Sequence, residues 1–240
     1  MAVGMERDLL DTGLGASALV GLLSSLSLLD APPTKPPFVQ GLGQWLGWAE
    51  ALSLSAALQR PAGAVAAASA RAPMAAQAER DYGRVVALLL RAIDDDAATD
   101  PRRTASPGDA DFGAFRQRHG ALQQAMQGAI EPLRRQLRAA VAAQSPSLQR
   151  LAAIDAVLEQ ALAVREQTLL ALMPMLLERH FECLHRGPNG AEADTGATAP
   201  SATGRFRKDM QRLLRAELQL RLQPVQGLLE ALRSQSQGAS

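Results

Sequence analysis

His180, Cys183 and His185, with Glu178 and Glu182 beside them, come nearest to a reactive cluster in the sequence. Imidazole, thiolate and carboxylate are the ligands of zinc, which takes four, or three and a water, in tetrahedral array. On a helix the step of three sets His180 and Cys183 on one face, and the further step of two swings His185 away. Structural zinc sites draw paired ligands from short loops, whereas these all ride on one rod, so a packed helix end outweighs a metal centre. The same residues fail as a nucleophilic pair. Cys183 has His180 one turn away, but the pattern supplies no orienting third group and no oxyanion donors. No Gly-x-Gly-x-x-Gly follows a strand pattern, and no Gly-Lys-Ser/Thr loop occurs. The expectation is a chain with no catalytic residues, no metal and no cofactor, and hence not an enzyme.

Charge placed on an apolar face is the next signal. Asp155 and Arg165 interrupt a leucine stripe, and burying either alone would be costly, so each needs a partner. The two lie ten residues apart, about 15 Å along one helix, too far to pair with each other. Arg134, Arg135 or Arg138 could reach Asp155 from a neighbouring antiparallel helix. Such a pair reads as register-setting rather than stabilising. His119 occupies a core-like position as a packed, hydrogen-bonded histidine. Arg205, Arg207, Lys208, Arg212 and Arg215 against Asp209 carry net +4 over eleven residues. That patch could meet nucleic acid or an acidic lipid surface, but no helix-turn-helix, stacking platform or zinc-finger spacing accompanies it. The whole chain carries only +1, so no general field favours a polyanion.

The elements that must position these residues are helices. Ala and Leu fill 84 of the 240 positions, while Val and Ile fill 13 and the aromatics 8, which excludes a sheet-based fold. From Thr12 to Leu29 no residue is charged, but four serines interrupt the run and the residues before it are net acidic. Leu19, Leu22, Leu23, Leu26 and Leu29 follow helical spacing, so this is a packed helix and not a signal or membrane segment. Prolines at 32, 33, 36 and 37 end it. A helix over 38–59 then presents Phe38, Leu42, Trp45, Leu46, Ala49, Leu52 and Ala56 as one stripe, completing an N-terminal hairpin. Residues 61–73, mostly Ala, Gly and Ser, read as a mobile or weakly helical connector. A third helix over 74–93 packs through Tyr82, Val85, Val86, Leu89 and Leu90.

Residues 94–111 are a flexible linker by their charge, Pro and Gly. Beyond it the spacing lengthens. Phe112, Phe115, His119, Leu122, Met126, Ala129, Leu133, Leu137 and Ala140 mark a helix reaching Gln144. Leu148, Leu151, Leu158, Leu162, Leu169, Leu172 and Leu176 mark heptads over 147–186, a rod of about 60 Å. Its neighbour across the short turn at 145–147 should be the helix before it, antiparallel. After a disordered loop at 187–204, Phe206, Met210, Leu213, Leu214, Leu218, Leu222, Val225, Leu229 and Leu232 give a last helix over 205–233. Pro132, Pro174 and Pro224 fall inside these helices, and unbroken periodicity on both sides predicts helices that kink and continue. The organisation is a helical region over 1–93, the linker 94–111, and a long-helix bundle over 112–236. The fold class is all-α: a long antiparallel, proline-kinked helical bundle with a shorter N-terminal helical hairpin.

Leu42-Gly43-Gln44-Trp45-Leu46-Gly47-Trp48, Phe115-Arg116-Gln117-Arg118-His119, Ile130-Glu131-Pro132-Leu133-Arg134, Leu151-Ala152-Ala153-Ile154-Asp155 and Leu177-Glu178-Arg179-His180-Phe181-Glu182 together resemble an uncharacterised, all-helical bacterial family of unknown function, found mainly in β-proteobacteria. The similarity covers nearly the whole chain. It carries over no catalytic residues, and it leans towards a partner-binding role. With one cysteine, no internal disulfide can form, so a reducing compartment, the cytoplasm, is expected. The functional expectation is a cytoplasmic scaffold or adaptor that binds another protein or a second copy of itself. Nucleic-acid or peripheral membrane binding through residues 205–215 is the first alternative, and an enzyme the last.

Overall fold

The computed structural model describes residues 15–26, 47–59, 63, 68–95, 112–186 and 201–237. Seven α-helices account for most of them: α1 (Gly15–Ser25), α2 (Trp48–Leu58), α3 (Ala68–Asp94), α4 (Phe112–Ala142), α5 (Pro146–Leu170), α6 (Met173–Arg186) and α7 (Ala202–Gln237). No strand occurs among the described residues. The protein is an all-α, multi-helix bundle with antiparallel helix packing across the core and, within it, one parallel pair. Cross-helix contacts fix the directions. Phe112 meets Phe206 and Gln123 meets Glu217, so α4 and α7 run the same way. Asp94 pairs with Arg215 and Glu79 with Arg233, so α3 runs against α7.

Two compact units make up the chain. The first gathers α1, α3 from Leu88, α4 up to Met126, α6 and α7 up to Leu220. The second gathers α2, α3 up to Ala87, α4 from Gln127, α5 and α7 from Arg221. Three helices therefore serve both units. The first unit's core is built from Leu89, Ile93, Phe115, Leu122, Met126, Leu177, Phe206, Met210, Leu213 and Leu214. The second is built from Val86, Leu133, Leu137, Val141, Leu148, Val225, Leu229 and Leu232. All nine apolar positions marked for α7 are buried. So are those marked on α4, apart from the half-buried Ala129.

Four expectations need correction. The rod over 147–186 is two helices, because the chain turns at Ala171–Leu172. Pro174 then stands second in α6, in the first turn, where its missing N–H has no intrahelical partner to lose. By contrast α4 continues through Pro132 and α7 through Pro224. Pro132 and Gly128, whose carbonyl loses its partner at the proline, are both exposed, which leaves the freed group open to solvent. The connector at 61–73 is helical from Ala68, and Pro73 lies inside α3; alanine is cheap enough to fix that the extra turns form. On α2, Ala49, Leu52 and Ala56 are exposed and Ala57 is buried, since the face that packs on α5 is the opposite one. On α5 the supposed seam is poorly covered, with Leu151 at 37% and Leu169 at 67% exposure. Residues 27–46, 96–111 and 187–200, which hold the first proline linker, most of the stripe ahead of α2, the bulk of the 94–111 linker and of the 187–204 loop, lie outside the described residues.

Candidate functional site

Arg134 and Arg138 stand one turn apart on α4, as do Asp155 and Glu159 on α5, and the antiparallel packing of these helices brings the two pairs together within the second unit. Arg134 donates from Nε to Asp155 Oδ2 at 3.0 Å and from Nη2 to Oδ1 at 2.7 Å, a fork on a carboxylate. Arg138 donates from Nη1 to Asp155 Oδ2 at 3.2 Å and also to Glu159. Arg134 Nη1 lies 3.6 Å from Glu159 Oε1, closing a four-membered lattice. Arg135 takes no part and is exposed. The side chains are 12–27% exposed, half-withdrawn from water rather than buried. Asp155 thus acts as the hub, and each guanidinium is oriented by two carboxylates.

The lattice forms one side of a groove of about 900 Å³ among α4, α5 and α7. Leu151, Ile154, Leu158 and Leu162 line it from α5, and Pro224 and Gly227 from α7. Arg221 Nη1 reaches Glu166 Oε1 at 3.4 Å on the α7 side. Leu158 and Leu162 are half-buried, as are Ala153, Ile154, Val157, Ala161 and Ala163. Among the described side chains of α5 only Leu148, Ala152 and Leu170 are buried, although its apolar side chains point in every direction. Val164 at 70% and Leu169 at 67% stand in water. The backbone at Arg165 is helical, and its side chain lies outside the described residues.

In the first unit His119 is wholly buried on α4 and faces Glu217 of α7, also wholly buried, with His119 Nε2 3.9 Å from Glu217 Oε2. Gln123 donates from Nε2 to both Glu217 oxygens at 3.2 Å. A carboxylate can be interred here because the Gln123 amide bonds both its oxygens and the His119 ring faces it. His180 of α6 contacts Asp209 of α7 at 3.0 Å, and Asp209 also accepts from Arg212 at 3.3 Å. Four phenylalanines, Phe112, Phe115, Phe181 and Phe206, pack against one another beside this pair, with Phe115 and Phe206 edge to face at 5.0 Å. Arg116 lies 5.3 Å over the Phe112 ring and bonds Glu178 at 2.7 Å.

These contacts disperse the cluster from which a metal site would be made. His180 goes to Asp209, His185 donates from Nδ1 to the Phe181 carbonyl, and Cys183 is exposed. Among the described residues no group of three or more His, Cys, Asp or Glu is placed to hold a metal ion. Among them too, no helix is long and apolar enough to cross a membrane. Of the basic patch, Arg212 is tied to Asp209 and Arg215 to Asp94 at 2.5 Å, while Arg205 and Arg207 are half-buried and Lys208 is exposed.

Sequence reading overlooked Glu217, Gln123 and Glu159. Glu217 had a usable signal: it falls four after Leu213, seven after Met210 and eleven after Phe206, on the apolar face of α7. Glu159 was legible as the residue one turn after Asp155. Residues 5–234 match a family model described as a protein of unknown function (DUF3348). No curated protein and no solved structure matches the chain.

Proposed function

The chain belongs to the DUF3348 family, whose function is unknown, and from that premise we propose that it is a non-catalytic helical adaptor acting in the cytoplasm by binding another protein. The observation that supports this reading is α5. Its apolar residues occupy every side, yet the rest of the second unit covers only part of them. Each exposed Å² of apolar surface forgoes about 25 cal/mol of burial, so a helix built this way is best explained by a further surface that completes it. The groove beside it carries oriented charge at the rim and leucine at the floor, the pattern of an interface with a hydrophobic centre and polar edge.

The test is to cross-link native cells, isolate the chain and weigh the intact assembly. A complex heavier than one copy is expected, and the double substitution Val164→Lys with Leu169→Lys should release the partner. Both positions face water, so the folded state of the free chain should be unaffected. A chain recovered alone from cross-linked cells would count against an adaptor.

A further inference from the structure

The groove of the second unit offers a seat of definite length. From Leu151 to Gln167 its lining covers sixteen helical steps, about 24 Å, or four to five turns. Set against a helix diameter of about 10 Å, this gives a footprint on the order of 250 Å². A lasting interface between two copies needs about 800 Å² from each. The groove is therefore too small to hold a dimer together by itself and the right size for one helix. Leu151, Ile154, Leu158 and Leu162 repeat at three and four, so the complementary surface is a stripe with the same repeat.

Charge narrows the occupant further. Glu131, Asp155, Glu159 and Glu166 line the groove against Arg134, Arg138 and Arg221, leaving one negative charge in excess. The three arginines are engaged by Asp155, Glu159 and Glu166. Glu131 is exposed and forms no ion pair among the described residues. A guest with basic flanks gains from this rim, and one with acidic flanks is repelled.

The α7 wall is kept low. Gly227 sits inside a 36-residue helix, where glycine is a poor choice, and a Cβ built on it would meet nothing within 4 Å. Pro224, another residue ill-suited to a helix interior, stands one turn before it on the same wall. Two departures from helix-forming chemistry at the edge of one groove fit a surface kept clear for a guest.

We infer that this groove receives a single amphipathic helix of a partner protein, four to five turns long, with leucine-type residues every third or fourth position and lysine or arginine on its flanks. The inference rests on the adaptor reading and names the partner chemistry at that site. The probe is a helical peptide of about five turns with that leucine repeat and lysine flanks, compared with the same peptide carrying glutamate flanks. Added to the full-length chain and followed by fluorescence anisotropy, the lysine form should bind at least tenfold tighter. Gly227→Leu, which fills the groove, should weaken it at least tenfold, while Gly227→Ala should not. Glu131→Lys should narrow the preference for lysine flanks. A photo-cross-linker replacing the exposed, groove-lining Gln160 should attach to the peptide.

Equal binding of the two peptides would overturn the inference, as would indifference to Gly227→Leu. Cross-links from position 160 into the chain's own sequence, or into a second copy, would overturn it as well. If the cellular complex survives Gly227→Leu but is lost with Val164→Lys and Leu169→Lys, the adaptor reading stands and the groove assignment falls.

Discussion

Asp155 holds two arginines that would otherwise face each other at close range. Asp155→Ala should therefore destabilise the protein by about 1–3 kcal/mol, between the values typical of exposed and buried pairs, because the group is only partly withdrawn from water. Denaturant titration would measure it. If Asp155→Ala is silent, the lattice is ornamental to stability and its arginines are held by Glu159. Phe206 tells a different story. It touches three other phenyl rings and the His180 imidazole, so Phe206→Ala should cost about 3–5 kcal/mol, and its effect should not add to that of Phe115→Ala. At this scale the sequence was partly legible. The demand that Asp155 find an arginine on α4 followed from its place in a leucine stripe, and the partners proved to be Arg134 and Arg138. The same logic applied to Glu217 would have revealed the buried pairing with Gln123, but a single acid among many leucines was passed over.

Among the helices, α7 and α4 were readable because each has one apolar face and both faces are covered. The helix α5 was not, because leucines at three and four mark a helix without saying which of its sides meets a neighbour. Coverage is a property of the surrounding chain. The prolines divide along the same line. Position within the helix decides their effect, and that position was hidden until the turn at Ala171–Leu172 was located. Two substitutions follow. Gly227→Ala should stabilise the protein by about 0.5–1 kcal/mol, since the new methyl meets open space. Pro174→Ala should leave α5 and α6 as separate helices with little change in melting temperature, because the first turn of α6 has no hydrogen bond to regain. A large rise on Pro174→Ala, measured by circular dichroism, would mean that the proline does break a helix that prefers to continue.

At the scale of the molecule, charge predicts weak attraction to nucleic acid. Two of the five basic residues in the 205–215 cluster are committed to Asp209 and Asp94, and Arg205 and Arg207 are half-buried, so phosphate contacts number fewer than three. A gel shift on generic duplex at low salt should show no complex, and a salt slope steeper than about −3 would refute that accounting. The composition of the two units has a larger consequence. Each takes its closing side from α7, the first through Phe206, Met210, Leu213 and Leu214, the second through Val225, Leu229 and Leu232. Removing residues 202–237 should accordingly leave a helical but loosely packed chain that binds a hydrophobic dye and melts without a sharp transition. During translation the same dependence imposes an order. While α3, α4, α5 and α6 have left the ribosome and α7 has not, the nascent chain carries two half-built interiors and can complete neither. That interval is when chaperones have most to hold, and a pause in synthesis just ahead of Ala202 would lengthen it.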